Sequence, residues 1–400
     1  MILVDFNYQK DIITQALLAY LNLKGEFMDK SKYYKFKIDY NTNHFNEFPH
    51  DIFTKEEKEL YLKIKAKKEE LGDDLVILAH HYQSKWITEL GDFVGDSFQL
   101  SKEAAERKDA KKIIFAGVHF MAESADILSD NTQKVYLPNV KAGCPMADMT
   151  TIEDLEFAWK EIADNLDGEK IIPITYMNST AAIKAFCGRN GGAVCTSSNA
   201  DKIFEWAFTQ GDKIMFMPDM NLGTNTANKL NIPKDEQIIY DLSKKDGGAT
   251  KEQLKKAKVI CWNGYCHVHK FFNAEMVQNL KDKFGDNYKL VVHPEANPEI
   301  VEMADSVGST KHIVDYIKSS KPGDVIAVGT EINLIYRLAN QYPDRTIIPI
   351  RKSLCPNMYR INMLNLYETI MDFPNDRIII VDGQTKKDAK LALERMLEFG

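Results

Sequence analysis

Short apolar runs rich in Val, Ile and Leu recur along most of the chain, near residues 75–80, 112–117, 135–138, 170–175, 213–218, 258–262, 288–293, 324–329, 345–350 and 377–382. Amphipathic segments with helical spacing separate them. Continuous apolar runs of this kind predict strands buried on both faces, and the intervening helices are what covers them. The expected class is α/β, with parallel sheets inside three-layer αβα units. Ahead of the first run, residues 54–71 read as a charged helix with Thr54 as N-cap and Glu56 and Glu57 in its first turn. Residues 1–53 are weakly patterned. Ile12, Ile13, Ala16, Leu17, Ala19 and Tyr20 suit a short amphipathic helix, and Tyr33 to Phe48 is aromatic-rich and irregular.

The strand-like runs fall into blocks. Three end in an aromatic or imidazole followed by a polar group: His80-His81-Tyr82, Tyr176-Met177-Asn178 and His293-Pro294-Glu295. Each is followed at a similar distance by a hydroxyl cluster that opens a helical pattern, at Ser97, at Ser197-Ser198 and at Ser309-Thr310. A second strand-like run then ends in a polar loop, at Val118-His119, Asp219-Met220 and Thr330-Glu331, and each block goes on to reach a cysteine. The middle block is longer, which two polar stretches explain, one near Cys187 to Gly192 and one from Pro233 to Thr250. Order and spacing therefore predict three pseudo-threefold-related α/β domains around a central site, at 54–150, 151–285 and 286–375. Residues 376–400 form a closing strand and helix that is a candidate to pack on the first repeat.

The 400 residues contain 51 Lys and Arg against 58 Asp and Glu, a net charge of −7, which argues against nucleic acid as a partner. No apolar run approaches the length of a membrane span, and the first residues lack the pattern of a signal peptide. A cytoplasmic location is expected. Six cysteines are too few for a disulfide scaffold; in a reducing compartment such residues are ligands, nucleophiles or small buried apolar groups.

Two cysteines share a context. Cys144-Pro145 and Cys355-Pro356 each follow a strand-like run, and Cys261 and Cys266 lie at the end of a third. Ligands in open parallel sheets bind at strand C-termini, so three blocks around one centre would bring three thiols together. Zinc sites usually use closely spaced cysteine pairs; Cys261 and Cys266 come near that pattern only by an x₄ gap. An iron–sulfur cluster tolerates distant ligands, and Cys-Pro is a common setting for them. With three cysteines on a four-iron cluster, one iron stays open as a Lewis acid. Ser97, Ser197 and Thr310 open helical patterns where backbone N–H groups favour anions. Ordinary helix capping explains each one alone; three aimed at one pocket point to carboxylates or phosphate.

Several longer motifs carry a family resemblance. Ala79-His80-His81-Tyr82-Gln83, Gly95-Asp96-Ser97-Phe98-Gln99, Gly117-Val118-His119-Phe120-Met121-Ala122-Glu123, Ala142-Gly143-Cys144-Pro145-Met146-Ala147-Asp148, Cys195-Thr196-Ser197-Ser198-Asn199, Trp262-Asn263-Gly264-Tyr265-Cys266-His267-Val268-His269, His293-Pro294-Glu295 and Gly308-Ser309-Thr310 closely resemble the quinolinate synthase A family, in order, from about Leu75 to Met358. The resemblance implies a pseudo-threefold α/β fold and an enzyme of NAD (pyridine nucleotide) biosynthesis. It would condense iminoaspartate with dihydroxyacetone phosphate, releasing phosphate and water, with a 4Fe-4S cluster on three cysteines. It implies Cys144, Cys266 and Cys355 as ligands, and leaves Cys187, Cys195 and Cys261 as buried or incidental thiols. His80, Tyr82, Ser97, Tyr176, Asn178, Ser197 or Ser198, His293, Glu295, Ser309 and Thr310 would contact substrate. Glu295 is the expected general base, with a pKa raised by the closed pocket, and His80, Tyr82 and Tyr176 are further catalytic candidates. His267 is a candidate gate, while His269, Trp262 and Phe272 are expected to pack. His81 departs from the family pattern and is not expected at the reacting atoms. An aspartate-oxidising enzyme would supply the iminoaspartate. A hydro-lyase acting on a hydroxy-dicarboxylate through the same open iron is the alternative.

Overall fold

The computed structural model describes residues 53–399 except residue 131. The expected N-terminal helix and aromatic stretch lie outside the described residues. All ten strand-like runs form strands, and four more strands join them. The set is β1 (Leu75–His80), β2 (Phe93–Gly95), β3 (Lys112–Ala116), β4 (Lys134–Tyr136), β5 (Ile171–Tyr176), β6 (Ala193–Cys195), β7 (Lys213–Met217), β8 (Gln237–Tyr240), β9 (Val259–Trp262), β10 (Lys289–Val292), β11 (Ser306–Val307), β12 (Val325–Gly329), β13 (Thr346–Pro349) and β14 (Ile378–Ile379).

They form three sheets, ordered β14-β4-β3-β1-β2, β6-β5-β7-β9-β8 and β11-β10-β12-β13. Within each, the first strand of the block pairs in parallel with a short edge strand on one side and with the next long strand on the other. A fourth parallel strand then follows outward. The chain thus reverses its winding direction between the two long central strands of every sheet. In such an order a crevice opens at that reversal, outside the strand C-termini.

The sequence explains why these strands are central. Every residue of β1, β5 and β7 is buried, as expected of strands covered on both faces. Each aliphatic side chain so placed contributes roughly 1.5–3 kcal/mol of transfer free energy. The helices begin where the sequence indicates. Thr54 and Glu57 make a reciprocal capping box on Lys55–Leu71, and Asp96 and Gln99 make another on Ser97–Glu106.

The long middle block contains more than loop. Its polar stretch from Pro233 to Thr250 includes β8, which pairs in parallel with β9, and is followed by the helix Lys251–Lys256. At the C-terminus, β14 pairs antiparallel with β4 of the first sheet. The helix after it, Gly383–Glu398, instead packs mainly on Ala181–Arg189 and β6 of the second sheet. There Arg395 donates to the carbonyl of Gly192, and Asn199 Nδ2 donates to the carbonyl of Met396 at 3.1 Å.

Candidate active site

Each sheet delivers side chains from the end of its first long strand to one cavity. From the first sheet come His80 and Tyr82, with Tyr82 donating its backbone N–H to His80 Nδ1 at 3.1 Å. The second contributes Tyr176 and Asn178, and the third His293 and Glu295. Ser97 and Thr310 are the first residues of their helices, behind the N-caps Asp96 and Ser309, and both line the cavity. Ser197 lines it too, hydrogen-bonded to His293 Nε2 at 3.2 Å. It does not open a helix as expected, because Thr196 to Asn199 form a turn and the helix starts at Ala200.

Two candidates face elsewhere. The Ser198 hydroxyl donates to Asp96 Oδ2 at 3.0 Å, and Ser309 spends its hydroxyl on the N–H of His312. Between Ser197 and Ser198, therefore, the cavity holds Ser197. His81 lies outside the cavity lining, buried against the Arg337 guanidinium at 2.9 Å.

The cavity contains a hydrogen-bonded chain. Glu295 Oε2 meets His269 Nδ1 at 2.6 Å, both side chains being buried. His269 Nε2 lies 3.2 Å from Thr330 Oγ1 and 3.3 Å from the Tyr82 hydroxyl, and that hydroxyl and Thr330 are 2.7 Å apart. Tyr176 stands close enough to Glu295 that each shifts the other's titration. His269 does not merely pack, as the sequence suggests; it is the centre of this network, with its ring stacked on His293 at 4.5 Å. Its spacing three residues after Cys266 was the available signal, since positions i and i+3 share a helix face.

Burial and neighbouring charge set the protonation states. Burial would raise the Glu295 carboxyl, but His269 and His293 beside it, with the Tyr176 hydroxyl, hold it below the ordinary carboxylate range. This reverses the expected upward shift: the partners that the fold places around the carboxylate outweigh its desolvation. Burial, then the Glu295 charge, pushes Tyr176 and Tyr82 well up, so both stay protonated donors. Burial, with Arg337 near one and His269 near the other, lowers His80 and His293 to about 3, so both are neutral at pH 7.

Cys144, Cys266 and Cys355 line the same cavity as free thiols from three loops. Burial raises all three, Cys144 to about 12 and Cys355 to about 11, and neighbouring thiols raise Cys144 and Cys266 further. A bound cation is what would ionise them. The backbone N–H groups of Ala147 and Met146 near Cys144, and of Met358 and Asn357 near Cys355, work against the rise that burial causes. Val118, Phe120, Met121 and Met358 give the cavity an apolar flank. Thiols with amide donors and a dry wall fit an iron–sulfur group, whose potential is set by such features. Cys266, His269 and Glu295 also bring one ligand atom each within 4.8 Å of one another, so this group is able to hold a metal ion. Cys187, Cys195 and Cys261 are buried away from the cavity.

Two orphan atoms mark the site as one that waits for a ligand. Asn178 Oδ1 and His267 Nε2 are buried without a partner, and an unmade bond of this kind costs about 1–3 kcal/mol. The sequence reading missed His269, Thr330 and two buried carboxylates, Asp219 and Glu331, which stand behind the cysteine loops.

A parallel-sheet protein that gathers three thiols, a buried His–Glu pair and orphan polar atoms where its strands reverse their winding is an α/β enzyme. A family model described as quinolinate synthetase A protein matches residues 62–398. The chain is 44% identical over 355 residues to a quinolinate synthase of Bacillus cereus strain ATCC 14579, covering 88% of this chain and 96% of that protein. Identity and coverage are the same with quinolinate synthases of Bacillus thuringiensis subsp. konkukian and Bacillus anthracis. The chain belongs to the quinolinate synthetase A family. No helix among the described residues is long and apolar enough to cross a membrane.

Proposed function

We propose that this protein is a quinolinate synthase of NAD biosynthesis, acting in the cytoplasm on iminoaspartate and dihydroxyacetone phosphate and releasing phosphate and water. The observation that carries the reading is the meeting of Cys144, Cys266 and Cys355 with Glu295, Tyr82 and Tyr176 in one cavity. The three sheets then act as three domains, each lending strand ends to a shared centre. The domains correspond to 54–150, 151–285 and 286–375, with 376–400 as a closing strand and helix.

Cys144, Cys266 and Cys355 would hold a 4Fe-4S cluster. When bound, the cluster supplies an open iron, a Lewis acid that eases departure of a hydroxyl group. The other steps belong to the chain. Ser97 and Thr310, at the first turns of ten-residue helices, offer hydroxyls and free N–H groups to carboxylate and phosphate oxygens. His80 and His293, uncharged, donate or accept hydrogen bonds without fixing the substrate too tightly to release. Asn178 uses its orphan oxygen on a substrate donor.

Glu295, ionised in the free enzyme, accepts a proton from carbon next to a carbonyl or imine. His269 holds that carboxylate in place and takes up part of the proton's charge. Tyr176 returns a proton from one side of Glu295; Tyr82, linked through Thr330 and His269, serves the other. Iminoaspartate is short-lived in water, which favours direct supply by an aspartate-oxidising enzyme.

The test is to purify the protein without oxygen and follow quinolinate formation with dihydroxyacetone phosphate present or omitted. Quinolinate only with the phosphate ester, and one phosphate released per product, is the expected result. Dehydration of a hydroxy-dicarboxylate with no use of the ester would replace this reading with a hydro-lyase.

A further inference from the structure

The loops that carry the three cysteines are tied down by one repeated contact. The N–H of the first helical residue after each second strand donates to the carbonyl two residues before a cysteine: His119 to Ala142, Met220 to Gly264 and Ile332 to Ser353, each at 2.8 Å. The partners are Cys144, Cys266 and Cys355 in turn, so the same stitch occurs once per sheet. Gly264 is required there, because a Cβ would lie 2.3 Å from the Pro218 carbonyl oxygen.

A second tie exists in only two of the three. The N-caps of the same helices are Val118, Asp219 and Glu331. Asp219 Oδ1 accepts the helix N–H of Leu222 at 2.8 Å, while Oδ2 accepts the backbone N–H of Cys266 at 3.2 Å. Glu331 repeats the arrangement with one oxygen on the N–H of Asn333 at 2.7 Å and the other on the N–H of Cys355 at 3.4 Å. Both carboxylates are fully buried. Val118 has no side-chain acceptor to offer Cys144. Ordinary capping explains one oxygen of each carboxyl group; the second reaches a cysteine N–H, and in Glu331 it also accepts from the Asn333 side-chain amide at 3.2 Å.

We propose that Asp219 and Glu331 are positioning residues for the cysteine ligands: each clamps one cysteine backbone to the helix that faces it, so that Cys266 and Cys355 are held in place before any metal arrives. The Cys144 loop, stitched but not clamped, is left as the adjustable member of the set. The proposal rests on the reading of these cysteines as ligands. Its structural half concerns the metal-free protein alone.

Asp219→Asn keeps an oxygen for the Leu222 cap and turns an NH₂ toward the Cys266 N–H, so it cuts the clamp and spares the cap; Glu331→Gln leaves one acceptor oxygen for which the N–H groups of Asn333 and Cys355 and the Asn333 side-chain amide compete, which weakens the Cys355 clamp. The experiment measures iodoacetamide alkylation of each cysteine by mass spectrometry in metal-free, anaerobic protein. Expected is a rise of about fivefold to tenfold at Cys266 in Asp219→Asn and at Cys355 in Glu331→Gln, the scale of one lost hydrogen bond. The other two ligand cysteines should stay within about twofold. Equal rises at all three, or none at the paired cysteine, overturn the proposal. Asp219→Ala, which also removes the cap, adds a loss of thermal stability that the Asn variant lacks. After reconstitution the Asn and Gln variants should give up iron to a chelator about tenfold faster, as lost outer contacts to metal ligands do. If wild-type protein takes up no iron, the ligand reading fails while the alkylation result still decides the clamps.

Discussion

The two Cys-Pro loops and the Cys266 loop occupy equivalent places in their sheets and are built for different work. After Cys144 and Cys355 the proline starts a tight turn that continues into 3₁₀ turns at Ala147–Met149 and Met358–Arg360. Backbone N–H groups of that turn offset part of the burial that raises each thiol. Cys266 has no proline after it and opens directly into the short helix His267–Lys270, with Lys270 N–H bonded to the Cys266 carbonyl at 3.0 Å. The helix carries His269 to Glu295. Two loops thus serve a sulfur each; the third serves a sulfur and the proton chain together. A threefold scaffold gains an asymmetric site by replacing a proline turn with a helical turn after one cysteine.

Three sets of changes test this division, from the largest effect to the smallest. Removing any of the three thiols by Cys144→Ala, Cys266→Ala or Cys355→Ala should abolish both iron retention and quinolinate formation, whereas Cys187→Ala, far from the cavity, should spare both. Equal loss in all four would end the ligand assignment. Glu295→Gln should lower kcat by about 10²–10⁴-fold, the usual worth of a positioned base, with the iron content of the reconstituted protein unchanged. Loosening the Cys-Pro turns should have the opposite signature. Pro145→Ala or Pro356→Ala gives up about 0.4–1 kcal/mol of backbone restriction, which is about two- to fivefold in iron retention by the same principle, while kcat per loaded site stays constant.

A separate effect, on stability instead of on iron or turnover, concerns two imidazoles that line the cavity. His80 and His293 fall from 6.5 to about 3 on folding. Between those values the unfolded chain binds protons that the folded chain refuses, so stability is lost as pH falls through the window and is unaffected above it. The metal-free protein should lose up to about 1.4 kcal/mol per pH unit for each histidine. Urea unfolding at pH 7, 6, 5 and 4 should show the slope, and His80→Gln should reduce it by one proton.

The strands that carry chemistry were legible in the sequence because they are buried on both faces and read as unbroken apolar runs. β2, β6 and β11 were not, since Phe93–Gly95, Ala193–Cys195 and Ser306–Val307 are too short to show a period. β8 was hidden inside a stretch whose Lys, Asp and Gly content reads as loop. At the site, the cysteines and the strand-end His, Tyr and Glu were visible by their repeated position. His269 was obscured by the neighbouring Phe271-Phe272, which suggested packing. Asp219 and Glu331 each stand just beyond a strand, where an acidic residue reads as an ordinary helix cap; only the fold brings their second oxygen to a cysteine N–H. The direction of the Glu295 shift was equally out of reach, because it depends on two imidazoles supplied from residues 269 and 293 at once.

The double duty of the Cys266 loop is most directly tested by His269→Gln, with iron and quinolinate formation measured on the same anaerobic, reconstituted sample. Wild-type iron content with kcat reduced about 10²-fold or more is the predicted result. Iron and activity falling in proportion, or activity unchanged, would contradict a loop that holds a ligand with one residue and moves a proton with another.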